Sequence, residues 1–265
     1  SNMLCNNTNS NHTDTTAPYW SVGIPVNSSN NDGDLVYAEI VKPKKSDFVF
    51  KVLNIVSCQL IITFIINYLF YLNRKNVLAW CFNDNLSYYK FVILILMIMT
   101  LCSMVIMWCF RENKWLKIPS FIIFTLSIAI TIGISILPYS SSAIIIAILA
   151  TSITVVSVNS CAFYCSKRNI EFTFMGPYMV SISMCFLLLS LVNLIFMNSW
   201  LIMILAIFGS ALFSAYLLYD LNNLYLNEGD NFCNDPFICA INIYLDIINI
   251  FSYLLIIIGG CNDTN

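Results

Sequence analysis

The chain reads as an all-α membrane protein, a bundle of seven transmembrane helices, and three observations predict it. Of its 265 residues, 59% are hydrophobic and only 10% charged. That is more apolar surface than one soluble core can bury, so lipid must serve as solvent. From Asp47 onward, apolar runs long enough to cross about 30 Å of hydrocarbon recur seven times. The connections between them are short, which suits a compact bundle of helices.

In chain order, residues 1–46 are rich in Asn, Ser, Thr and Asp and have almost no apolar periodicity. They are expected to form a disordered, cytoplasmic tail. Residues 47–260 form the expected transmembrane domain and residues 261–265 a short C-terminal tail. The seven runs cover residues 49–72, 89–110, 118–137, 143–165, 176–197, 200–226 and 237–259. Pro119, Pro138 and Pro177 fall at or beside run ends, where the missing N–H and fixed φ of proline suit a helix boundary. Asp235-Pro236 has the form of an N-cap followed by proline at the first helical position. Trp80, Trp108, Trp115 and Trp200 lie near run ends, at the depth of the lipid headgroups.

Lys and Arg set the expected orientation. With the tail inside, Lys42, Lys44, Lys45, Lys51, Arg111, Lys114, Lys117, Lys167 and Arg168 are cytoplasmic, against Arg74, Lys75 and Lys90 on the other side. This excess predicts a cytoplasmic N terminus and, with seven spans, a lumenal or extracellular C terminus. The sequons at Asn6, Asn11 and Asn27 would then stay bare, whereas those at Asn85 and Asn262 would face the lumen.

Other function classes lose ground on composition. A net charge of -2 without a basic stripe gives no footprint for nucleic acid. The single histidine, His12, sits in the polar tail, so no His base or His-ligated metal is available within the membrane. Of eleven cysteines, Cys58, Cys102, Cys109, Cys161, Cys165, Cys185 and Cys239 lie in apolar runs. There Cys behaves as a small hydrophobe, and no spacing reads as a zinc site or a disulfide framework. No enzyme activity and no cofactor are expected.

Two carboxylates stand out, because only Asp220 and Asp246 fall inside spans. An aspartate at the centre of a membrane helix costs about 2.5–3.5 kcal/mol on insertion scales, so it needs a partner or a use. Asp246 shares a helical face with Asn242, Asn249 and Tyr253, and Asp220 repeats the pattern with Tyr216, Asn223 and Asn227. The two runs are consecutive, so the helices are expected to be antiparallel neighbours with both carboxylates in the cytoplasmic half. Two carboxylates within a few ångströms resist double ionisation and share a proton, which makes a proton-sensitive latch. Two blander readings stay open, an interfacial position for Asp220 and a polar clasp between helices for Asp246. Lys51 and Arg111 are candidate counter-charges, Arg111 being the better bidentate partner. Lys51 equally suits a headgroup contact.

At these residues the sequence resembles the transmembrane Bax-inhibitor-motif family, particularly its lifeguard branch. The resemblance rests on FVFKVLNIVSCQLIITF (Phe48 to Phe64), IEFTFMG (Ile170 to Gly176) and the two aspartate stretches, of which NIYLDIINIF is the most specific. It implies seven helices with the last one central, and a calcium leak gated by a pair of aspartates, here Asp220 and Asp246. It also implies Arg111 as the partner of Asp220. From the residues themselves, the two carboxylates with the supporting polar face of Asn223, Asn242 and Asn249 and water would make a weak calcium site. An endoplasmic reticulum or Golgi membrane and a restraining role in cell death follow from the same resemblance. The chain departs from the family where a basic run is common, having Arg111-Glu112-Asn113, and its second span carries no acidic residue.

The leading expectation is therefore a pH-modulated calcium leak in a lipid bilayer. The alternative is a non-conducting scaffold for apoptosis-regulating or calcium-channel proteins. A seven-helix receptor loses weight because no D-R-Y step follows the third run and no N-P-x-x-Y occurs in the seventh. A retinal pump would need a lysine in the last run, which has none.

Overall fold

The computed structural model describes residues 45–82, 86–110, 113–172, 174–196, 198–226 and 235–262. Among them the regular structure is all helix: α1 (Lys45–Leu72), α2 (Arg74–Phe82), α3 (Leu86–Cys109), α4 (Lys114–Ser135), α5 (Ser141–Lys167), α6 (Met175–Phe196), α7 (Ser199–Leu226) and α8 (Pro236–Asn262). Six of these, α1 and α4 to α8, are long and apolar enough to cross a membrane, and α3 contains a shorter apolar segment, Leu94–Cys109.

The helices begin one to four residues before the apolar runs, because charged and polar turns at a membrane surface still satisfy their backbone by helical hydrogen bonds. Two expectations change as a result. The stretch expected to be a plain connection after the first run contains the nine-residue α2. Pro119, expected beside a helix start, lies inside α4, because the turn from Lys114 to Lys117 that precedes it is already helical.

Three helix ends show how local sequence fixes the chain path. Ser140 caps α5, its Oγ accepting the Ala143 N–H at 3.3 Å. At the other end of α5, Asn169 takes a left-handed φ of 52°, which asparagine tolerates well. The N–H groups of Asn169 and Ile170 then donate back to the carbonyls of Ser166 and Cys165, closing a Schellman turn. Asp235 caps α8, with its Oδ1 accepting the Phe237 N–H at 3.1 Å and Pro236 in the first helical position.

Two buried clusters hold the bundle, and α8 contributes to both. Ala240, Ile243, Ile247 and Ile250 join residues of α1, α5 and α7, including Val52, Ala162 and Leu217. Ile241, Tyr244, Ile248 and Leu255 join α3, α4 and α5 through Met107, Phe124 and Ala147. Both sets recur at helical spacing, so they form two adjacent apolar stripes on one cylinder. The cores also contain polar links that close-packed lipid-soluble helices use as glue. Thr63 Oγ1 lies 2.8 Å from the Tyr244 hydroxyl. Because the Thr63 proton already goes to the Gln59 carbonyl, the tyrosine is the donor.

Cys239 corrects another expectation. It is disulfide-bonded, whereas Cys58, Cys102, Cys109, Cys161, Cys165 and Cys185 are free.

Candidate functional site

Of all helix pairs, α7 and α8 share the most extensive interface, and α5 packs on both. The polar strip of α8 occupies a third face beside its two apolar stripes. At one end of that strip, Tyr253 stacks on Phe213 of α7 at 5.8 Å and meets Phe186 of α6 edge-on at the same distance. Gly209 of α7 makes this approach possible: a Cβ there would stand 2.9 Å from the Tyr253 ring. The polar face is thereby held against α7.

Asp246 lies ten residues beyond Pro236, about 15 Å along the helix, and is 6% exposed. Its Oδ2 is buried without a hydrogen-bond partner among the described residues. Asp220 is half-buried on α7, the helix that shares the most extensive interface with α8. Asn223, Asn242 and Asn249 are also half-buried. Arg111 and Asn227 lie outside the described residues.

Other polar groups at this end of the bundle are not singled out by sequence reasoning. Asn222, two residues beyond Asp220 on α7, is fully buried. Its Nδ2 donates to the Ile170 carbonyl at 3.1 Å, a group that the Schellman turn after α5 delivers to α7. The Asn222 Oδ1 has no partner among the described residues. Nearby, the Tyr225 hydroxyl of α7 donates to Asn159 Oδ1 of α5 at 2.7 Å. The available signal for these residues is a polar side chain inside an apolar run, but such a signal does not name its partner.

A charged contact ties α4 to the start of α8. Lys117 pairs with Asp235, and both are largely buried. The Lys117 ammonium also lies 5.1 Å from the centre of the Phe237 ring, which packs edge-on against Phe121 at 5.2 Å. The same aspartate thus caps α8 and holds a lysine counted from sequence only as a cytoplasmic flank.

The described residues contain no group of three or more His, Cys, Asp or Glu that could enclose a metal ion. Asp220 and Asp246 are the acidic oxygen donors of the polar α7–α8 contact. Two carboxylates with one buried, unsatisfied oxygen can take up a proton or attract a cation.

Comparison with known proteins agrees with this architecture. Residues 45–263 match the family described as "Inhibitor of apoptosis-promoting Bax1". Protein LIFEGUARD 2 of Arabidopsis thaliana is 26% identical over 211 residues, covering 78% of this chain and 85% of that protein. Protein LIFEGUARD 1 of the same plant is 27% identical over 217 residues, covering 80% and 88%. Protein lifeguard 3 of Homo sapiens is 28% identical over 227 residues, covering 81% and 69%. With its set of apolar spanning helices and a family match across the whole bundle, the chain is a multi-pass membrane protein and belongs to the Bax inhibitor family.

Proposed function

We propose that this protein is a pH-modulated cation leak, permeable to calcium, in which Asp220 and Asp246 form the gate. The supporting observation is the buried Asp246 carboxylate, with one oxygen unpartnered among the described residues, on the helix that packs most extensively against the one carrying Asp220. A charge this costly in a membrane is retained where it has a use. Calcium takes six to eight oxygen ligands. Two carboxylates, amide oxygens such as those of Asn223, Asn242 and Asn249, and water would provide a weak site from which an ion can leave again. As the pH falls, protons occupy the pair and its attraction for a cation declines.

The reading includes seven spans, with α3 among them, α8 as the central helix and the N terminus in the cytoplasm. Its support is that α8 enters both cores and that cations are concentrated on one side in the alternating pattern. Family membership suggests a role in cell death, and an endoplasmic reticulum or Golgi membrane is the proposed location. Arg111 is the proposed counter-charge of Asp220. No catalytic step is assigned.

The test is calcium flux into indicator-loaded, calcium-free liposomes containing the purified protein. The reading expects flux that decreases as the pH is lowered, and its loss in Asp246→Asn. Equal flux in wild type, Asp220→Asn and Asp246→Asn would reject the gate. A wild-type protein without flux, whose double Asp→Asn variant still protects cells, would favour the scaffold that binds apoptosis-regulating or channel partners.

A further inference from the structure

Away from the aspartates, a lateral groove of about 480 Å³ runs between α1 and α4, with Phe237 of α8 at one end. Its α1 wall is one helical face carrying Lys51, Asn54 and Gln59, and Thr125 stands on the α4 side. Most of the remaining lining is apolar, and Phe50, Ile62 and Ile122 at its edges are open to the surroundings. The groove is therefore accessible from the lipid.

Gln59 gives this groove a defined chemical demand. The residue is 1% exposed, and its Nε2 lies 2.9 Å from Thr125 Oγ1. The Thr125 proton is already committed to the Phe121 carbonyl at 3.0 Å, so the amide must be the donor in the Gln59 contact. That fixes the orientation of the amide and leaves Oε1 as a buried acceptor without a partner among the described residues. A buried acceptor in this position requires an O–H or N–H group. At the rim, Lys51 is exposed and makes no ion pair among the described residues, with the amide of Asn54 less than one turn away. From Lys51 to Gln59 is eight residues, about 12 Å along the helix.

We infer that this groove binds a single-chain amphiphile, a long-chain hydroxy carboxylate. The carboxylate sits at Lys51 and Asn54, the apolar chain follows the groove, and a mid-chain hydroxyl donates to Gln59 Oε1. Charge complementarity selects the anionic head. The volume, near the lower end of small-molecule cavities, suits one chain with a small head rather than a two-chain phospholipid. The unpartnered oxygen selects the hydroxyl, because a plain acyl chain has no proton to give it.

The experiment measures binding of three octadecanoic acids to the purified full chain in nanodiscs: unsubstituted, hydroxylated at the tenth carbon, and hydroxylated at the second. The mid-chain hydroxy acid is expected to bind about tenfold more tightly than the other two. In Gln59→Leu that preference should disappear while the unsubstituted acid still binds, and Lys51→Met should weaken all three. Equal affinities on the wild-type protein, or no binding by any of the acids, would overturn the assignment without recourse to a variant. Retention of the mid-chain preference in folded Gln59→Leu would do the same.

Discussion

Helices α6 and α8 are similarly apolar in their most hydrophobic stretches, yet 44% of that stretch in α8 is buried in protein and only 6% in α6. Apolarity therefore does not decide which helix forms the core. In lipid an aliphatic side chain gains little by moving from acyl chains to protein, so close approach and polar contacts select neighbours. Helix α8 has Tyr244, Asp246 and the strip ending at Tyr253, and it meets a glycine on α7. Helix α6 turns Met184, Leu188 and Ile195 outward. The difference predicts a graded series of mutational effects.

The largest should come from Tyr244→Ala, which empties a fully buried site in the α4–α8 core and removes the Thr63 hydrogen bond. A loss of about 3–5 kcal/mol is expected, read as reduced resistance to unfolding in mixed micelles. Gly209→Ala follows, at about 1–3 kcal/mol. Its new methyl meets a Tyr253 ring that Phe213 and Phe186 hold from two sides. Tyr244→Phe keeps the ring and deletes only the donor, and it should cost about 1 kcal/mol in the same assay. Leu188→Ala on α6, where the side chain is 61% exposed, should change stability by less than about 0.5 kcal/mol. If Leu188→Ala matches Gly209→Ala, the contrast between the two helices is lost.

The same contrast explains what could be read in advance. Apolar length located the spanning helices to within a few residues, and Asp235-Pro236 marked the start of α8, because both signals are local in sequence. Pairing is not local. Lys117 and Asp235 are 118 residues apart, and Thr63 and Tyr244 are 181 apart. Helices that are apolar on every side carry no amphipathic stripe to show which face meets protein. Asn222 is a case in point: nothing in its position late in α7 shows that its amide meets the Ile170 carbonyl after α5. Asp220 and Asp246 were legible as costly charges, since a carboxylate within an apolar run is conspicuous wherever the helices pack. Their unequal burial depends on the packing of α7 against α8, which the sequence does not record.

The central claim is that these two aspartates act as one unit, and a double-mutant cycle on calcium flux in liposomes tests it most directly. Asp220→Asn, Asp246→Asn and the double variant are compared with wild type across a range of pH. If the carboxylates share one gate, the double variant should behave like Asp246→Asn alone and the pH dependence should vanish with the first substitution. Independent, additive effects of the two substitutions, or an unchanged pH profile in the double variant, would contradict the account.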